Sequence, residues 1–125
     1  MKKVRFYERL IKAAIKRIHK ALRYSYEGVK AMYKSEPSFQ QDLVLFVVGM
    51  LVLCFLDITT TQKCILIISL FLIIMAEIVN TAIETIVDRI SKEINPLSKK
   101  AKDIGSFLVM ISFILAFILW IMILF

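Results

Sequence analysis

From Ile104 to Phe125 the chain carries no charged residue over 22 consecutive positions, and no other feature limits the fold as strongly. A helix needs about 20 apolar residues to cross a bilayer, where every backbone amide must find its partner inside the segment. Two further stretches qualify less cleanly. Leu43–Leu56 is uncharged and reaches spanning length only by continuing past Asp57 into Ile58–Gln62. A second runs from Cys64 to about Val87 and is broken by Glu77 and Glu84 alone. The expectation is an all-α membrane protein with spans at about 40–61, 64–90 and 104–125.

Composition agrees only because charge is segregated. Hydrophobic residues make up 59% of the 125 and charged residues 22%, yet residues 1–42 hold 11 of the 17 Lys and Arg. The length suits one domain, read as a surface-helix region over 1–36 and a three-span core over 37–125. A cleaved leader is not expected, because Met1–Arg23 is basic and has no apolar core of its own. The link Arg89–Lys102 carries Arg89, Lys92, Lys99, Lys100 and Lys102, whereas Asp57–Lys63 carries one lysine. Cationic loops stay in the cytoplasm, which puts the N-terminus inside and the C-terminus outside. The formal charge of +7 is explained by the membrane, so no nucleic-acid partner is expected.

At about 100° per residue, Arg5, Arg9, Lys12, Lys16, Lys20 and Arg23 share an arc of roughly 80°. Leu10, Ile11, Ala14, Ile15, Ile18, Ala21 and Leu22 take the other side. Such a helix lies in the headgroup layer, its cations near anionic lipid. Arg17 falls on the apolar side. It either meets a phosphate through two parallel hydrogen bonds or snorkels to the headgroups. Glu36-Pro37 ends the segment, since the residue before proline is pushed out of helical geometry.

The chemistry concentrates in the second span. Glu77, Asn80, Glu84 and Asp88 follow spacings of 3, 4 and 4, within roughly 80° of one helix face. An ionised group in hydrocarbon costs at least about 2.5–3.5 kcal/mol, so the stripe needs partners, protons or a cation. It could join helices, pair with Arg89 or nearby lysines, or line an ion path. Two carboxylates on successive turns near a membrane surface also suit Mg²⁺, which takes oxygen ligands and substrate phosphates. Glu77, deeper and desolvated, then suits a general base toward a lipid hydroxyl. Lys99, Lys100 and Lys102 could neutralise a polyphosphate, and Glu36 would join Glu84 at the surface. No GxxxxGK[ST] loop exists to hold phosphate otherwise. Cys54 and Cys64 bracket the short outer link and read first as apolar filler, with disulfide or metal use the alternatives.

The run Glu77-Ile-Val-Asn80-Thr-Ala-Ile-Glu84-Thr-Ile-Val-Asp88-Arg89 and the following Ala101-Lys102-Asp103-Ile-Gly105-Ser106 resemble the signature of the prokaryotic diacylglycerol kinases. The likeness extends over about 17–125 and includes Ala-Leu-Arg-Tyr24-Ser25-Tyr and Glu36-Pro-Ser-Phe39-Gln-Gln41-Asp42. It implies a bacterial inner-membrane homotrimer of three-span subunits, each with an N-terminal amphipathic surface helix. It also implies active sites shared between subunits at the cytoplasmic surface, transferring the γ-phosphoryl group of MgATP to diacylglycerol. By that pattern Glu77 is the general base with Asn80 beside it, and Glu36 and Glu84 hold Mg²⁺. Arg17, Tyr24, Glu36, Glu84, Asp88, Glu93, Asn95, Lys102 and Asp103 match nucleotide positions. Ala21, Ser25, Phe39, Gln41, Asp42, Glu77 and Ser106 match lipid-substrate positions.

Three residues depart from the pattern. Asp42 stands where Glu is expected, Asn95 where His is expected, and Lys99 where Gly is expected. Undecaprenol, the acceptor of related kinases, is the alternative substrate. A small proton-coupled transporter is the reading from another class; it needs an acid near mid-membrane but neither Glu36 nor the lysine cluster.

Overall fold

The computed structural model describes residues 2–125, with side chains from Phe6 onward. Arg5, assigned above to the basic face, lies outside the described side chains. Four helices follow one another: α1 (Lys2–Ser35), α2 (Pro37–Phe55), α3 (Thr60–Ile90) and α4 (Pro96–Leu124). The chain divides into two compact units, residues 1–35 and 36–125.

The first unit is the single helix α1. Its described side chains are almost all exposed, the apolar Leu10, Ile11, Ile15, Ile18 and Leu22 included. Local pairs lie along it: Arg23 Nε bonds Glu27 Oε1 at 2.9 Å, and Lys20 Nζ lies 5.5 Å from the centre of the Tyr24 ring. Exposed pairs of this kind contribute only about 0.3–0.5 kcal/mol.

Boundaries in the second unit follow from local chemistry. Glu36 is extended (φ −116°, ψ 99°) and Pro37 opens α2, where its missing N–H costs nothing. α2 ends at Phe55 because a capping box starts the next helix. Thr59 N–H donates to Gln62 Oε1 at 2.9 Å, and Gln62 N–H donates to Thr59 Oγ1 at 3.3 Å. Asp57–Gln62 therefore does not extend the first apolar helix, contrary to the sequence expectation. At 19 residues α2 still measures about 28 Å at 1.5 Å per residue. The link between α3 and α4 is likewise shorter than expected. Asn95 Oδ1 accepts from Leu97 N–H at 2.8 Å and Pro96 follows it, so α4 begins before Lys99, Lys100 and Lys102. Those cations stand on the first turns of a helix and not in a loop.

α2, α3 and α4 are each long and apolar enough to cross a membrane by length and composition. α3 packs most extensively on α4 and next on α2. Toward the Leu56–Thr59 end the interior is apolar: Leu53, Leu66 and Leu70 are buried, with Phe46, Met50, Leu119 and Trp120 against them. Gly49 lies under Leu70, where a side chain would meet the leucine methyl at 2.7 Å. Ser69, fully buried, donates to Leu66 O at 2.7 Å and accepts from Trp120 Nε1 at 3.2 Å.

Candidate active site

Toward the Ser91–Asn95 end the same three helices enclose polar groups. The stripe on α3 changes steadily in burial: Glu77 is 4% exposed, Asn80 9%, Glu84 is half-buried and Asp88 is exposed. An unpaired carboxylate at the depth of Glu77 would be costly. Ser38, in the first turn of α2, answers it: its Oγ donates to Glu77 Oε1 at 2.5 Å across 39 residues of sequence. Asp42, one turn further along α2, is buried and close enough to Glu77 for the two charges to interact. Phe39, between them in sequence, is 2% exposed.

One turn beyond Glu77, Asn80 Nδ2 donates to Glu84 Oε1 at 3.2 Å. That bond directs the Glu84 carboxylate and leaves its second oxygen for another partner. Asn80 Oδ1 is buried without a hydrogen bond and faces Gly105 of α4.

Beyond Glu84 the stripe meets the start of α4. Lys102 Nζ reaches Asp88 Oδ1 at 2.6 Å, and Lys99 Nζ reaches Asp103 Oδ2 at the same distance. The hydrogen bond to Asp88 raises the Lys102 ammonium above its usual range, with the charges of Asp88 and Glu84 adding to it and partial burial opposing. A crevice of about 290 Å³ opens here, lined by Asp88, Glu93, Asn95, Lys99, Lys102 and Asp103 among others. Two of its acids are paired with two of its lysines, Asp88 with Lys102 and Asp103 with Lys99.

The sequence candidates thus fall into four groups. Glu77, Asp42 and Asn80 cluster in the interior, with Glu84 beside them. Asp88, Glu93, Asn95, Lys102 and Asp103 line the crevice. Gln41 and Ser106 are exposed on α2 and α4, and Glu36 is half-buried at the residue before α2. Arg17, Ala21, Tyr24 and Ser25 lie on α1, in the other unit. Asn95 has a structural duty as the cap of α4, and Lys99, the departure from glycine, holds Asp103. Two contributors had no role in the sequence reading: Ser38, whose partner is distant in sequence, and the bare backbone at Gly105. Their residues lay in quoted motifs, but nothing local signals the contacts.

Among the described residues no three His, Cys, Asp or Glu groups are close enough to cage a metal. Mg²⁺ does not require such a cage, because it keeps waters and combines one or two carboxylates with substrate phosphates. Glu84, with one oxygen fixed by Asn80, and Glu36 offer hard oxygen donors of that kind.

The family follows from comparison with known proteins. Residues 23–124 match the family model described as prokaryotic diacylglycerol kinase. The diacylglycerol kinase of Escherichia coli K12 is 41% identical over 104 residues, covering 83% of this chain and 85% of the relative. That of Pseudomonas aeruginosa is 41% identical over 92 residues, covering 74% and 75%. That of Helicobacter pylori strain 26695 is 34% identical over 105 residues, covering 84% and 82%. The chain belongs to the prokaryotic diacylglycerol kinase family.

Proposed function

We propose that the protein transfers the γ-phosphoryl group of MgATP to the primary hydroxyl of diacylglycerol, yielding phosphatidic acid and ADP. Family membership supports the kinase and its acceptor. The observation that carries the chemistry is the pair of directed carboxylates on α3, Glu77 held by Ser38 and Glu84 held by Asn80.

In this reading Glu77 accepts the proton of the lipid hydroxyl as its oxygen bonds to the γ-phosphorus and the bond to the β-phosphate oxygen breaks. Ser38 keeps Glu77 aimed through its hydrogen bond. Glu36 and Glu84 would hold Mg²⁺ together with the nucleotide phosphates. The metal supplies charge neutralisation to the transferring group. Lys102 leaves Asp88 to meet phosphate, and Asp103, Glu93 and Asn95 border the rest of the nucleotide. Phe39, Gln41, Asp42 and Ser106 shape the lipid side, and the family pattern assigns Arg17 and Tyr24 to the nucleotide and Ala21 and Ser25 to the lipid. Phosphoryl transfer asks mainly for positioning and charge neutralisation, and these groups supply both.

The assembly we propose is a homotrimer in the bacterial inner membrane with sites shared between subunits. The apolar outer faces of α2–α4, including Val44, Leu51, Phe71 and Phe117, support burial in lipid or against neighbours. The cations around the α3–α4 link support a cytoplasmic site and an external C-terminus. The basic stripe of α1 supports a helix lying on anionic headgroups.

The test is Mg²⁺-dependent transfer of labelled phosphate from ATP in mixed micelles, offered diacylglycerol and undecaprenol separately. Labelled phosphatidic acid from the wild type, lost in Glu77→Gln and Glu84→Gln, is the expected result. Product from undecaprenol alone would replace the acceptor, and unchanged activity in both variants would remove the stripe from the mechanism.

A further inference from the structure

The stripe residues act by the groups they carry; Gly105 acts by what it lacks. A Cβ built on Gly105 would overlap Asn80 Oδ1 and stand 3.4 Å from Asn80 Cγ and 3.6 Å from its Cα. Asn80 has little room to yield. It is 9% exposed, and its Nδ2 is committed to Glu84 Oε1 at 3.2 Å. The amide cannot turn over either, because a carboxylate accepts and would then face the Asn80 oxygen. The easiest response to a methyl group at position 105 is rotation of the Asn80 amide, which withdraws its nitrogen from Glu84.

We propose that Gly105 is a positioning residue for the metal-binding carboxylate: its bare backbone leaves the space in which the Asn80 amide stands, and through that amide it directs Glu84. The proposal rests on the reading of Glu84 as a metal ligand. Gly49 supplies the contrast. A Cβ there also meets a neighbour, the Leu70 methyl at 2.7 Å, but Leu70 belongs to the apolar half and directs no polar group. Both glycines permit close helix packing, and only Gly105 connects packing to the carboxylate stripe.

The experiment measures Mn²⁺ binding directly by electron paramagnetic resonance. The full-length protein in micelles is given the β,γ-methylene analogue of ATP, and melting temperature is recorded alongside. Gly105→Ala is expected to bind Mn²⁺ about tenfold more weakly, the scale at which the hydrogen-bonded supports of ligands act. Gly49→Ala is expected to melt lower and bind Mn²⁺ as the wild type does. Glu84→Asp separates the two layers of the claim. If it leaves Mn²⁺ binding unchanged, Glu84 is not a ligand and the proposal falls with that reading. If it weakens binding while Gly105→Ala does not, Glu84 stands and the role of Gly105 is overturned. Equal weakening in Gly105→Ala and Gly49→Ala overturns it too, because packing alone would then explain both.

Should Gly105→Ala fail to assemble, Asn80→Ala and Asn80→Ala/Gly105→Ala carry the test. With the amide gone a Cβ at 105 has room, so the double variant should bind Mn²⁺ as Asn80→Ala alone does. A further loss in the double variant would mean that Gly105 acts without Asn80.

Discussion

α3 runs through both halves of the three-helix unit, and the two halves are built on opposite rules. Near the Leu56–Thr59 end it presents Leu66 and Leu70 to Leu53, Met50 and Trp120, and one polar link, Ser69 to Trp120, crosses between helices. Near the Ser91–Asn95 end it presents Glu77, Asn80 and Glu84, and the contacts to α2 and α4 are a hydroxyl and a glycine. The apolar half carries none of the proposed catalytic groups, so damage there should spare the chemistry. The polar half keeps groups in place that cost stability, which is expected where function and not packing selects the residue.

The widest separation should come from Glu77→Gln against Leu66→Ala. Replacing the buried carboxylate by an amide removes the proposed proton acceptor, and transfer should fall by about 10²–10⁴-fold, the span usual for general bases. The melting temperature should hold or rise, since a buried charge is gone. Leu66, 0% exposed, should behave conversely: truncation to Ala leaves a cavity and costs about 2–5 kcal/mol of stability. The protein that remains folded should turn over as the wild type does. Paired melting and rate measurements check both, and a Leu66→Ala enzyme slowed at temperatures where it is fully folded would break the comparison.

Ser38→Ala probes the polar half from α2. It deletes the donor to Glu77 and keeps the helix start at Pro37. A hydrogen bond to a charged group is worth about 1.5–3 kcal/mol, so kcat should drop by about tenfold or more. Ser38→Thr, which keeps the hydroxyl, should recover most of the rate. A pure packing role for Ser38 would give no such recovery.

Much of this contrast was legible before any coordinates. The stripe at 77, 80, 84 and 88 is visible because helical period is a local property and because charge in an apolar run is conspicuous. Glu36-Pro37 announced its turn for the same reason. Capping outweighs hydropathy at the end of α2 and the start of α4: Thr59 with Gln62 stops one helix, and Asn95 starts the other upstream of the lysines. The contacts that aim the carboxylates stayed hidden. Ser38 and Glu77 are 39 residues apart, and the approach of Asn80 to Gly105 depends on how closely α3 and α4 pack. Neither follows from spacing along one helix.

The lone polar link of the apolar half should matter least to activity. Trp120→Phe removes the bond from Nε1 to Ser69 Oγ and keeps the ring. Bonds between helices in a membrane average about 0.6 kcal/mol, so a small fall in melting temperature with unchanged kcat and KM is expected. Ser69 retains its bond to Leu66 O, which keeps its hydroxyl satisfied after the change.

The Lys102–Asp88 pair sharpens the comparison from the water side, where pH can reach it. The folded ammonium has its pKa above the ordinary lysine value of 10.5, chiefly through the bond to Asp88. A group raised on folding stabilises fully while it is protonated in both states, and the contribution is lost only as pH climbs through the folded value. The stability difference between wild type and Lys102→Met should therefore stay constant from pH 7 to pH 9 and shrink only above the ordinary value. Melting curves across that range check the sign. A difference that instead grows between pH 7 and pH 9 would mean that Lys102 has lost Asp88 and is held below its ordinary value by the other lysines of the crevice.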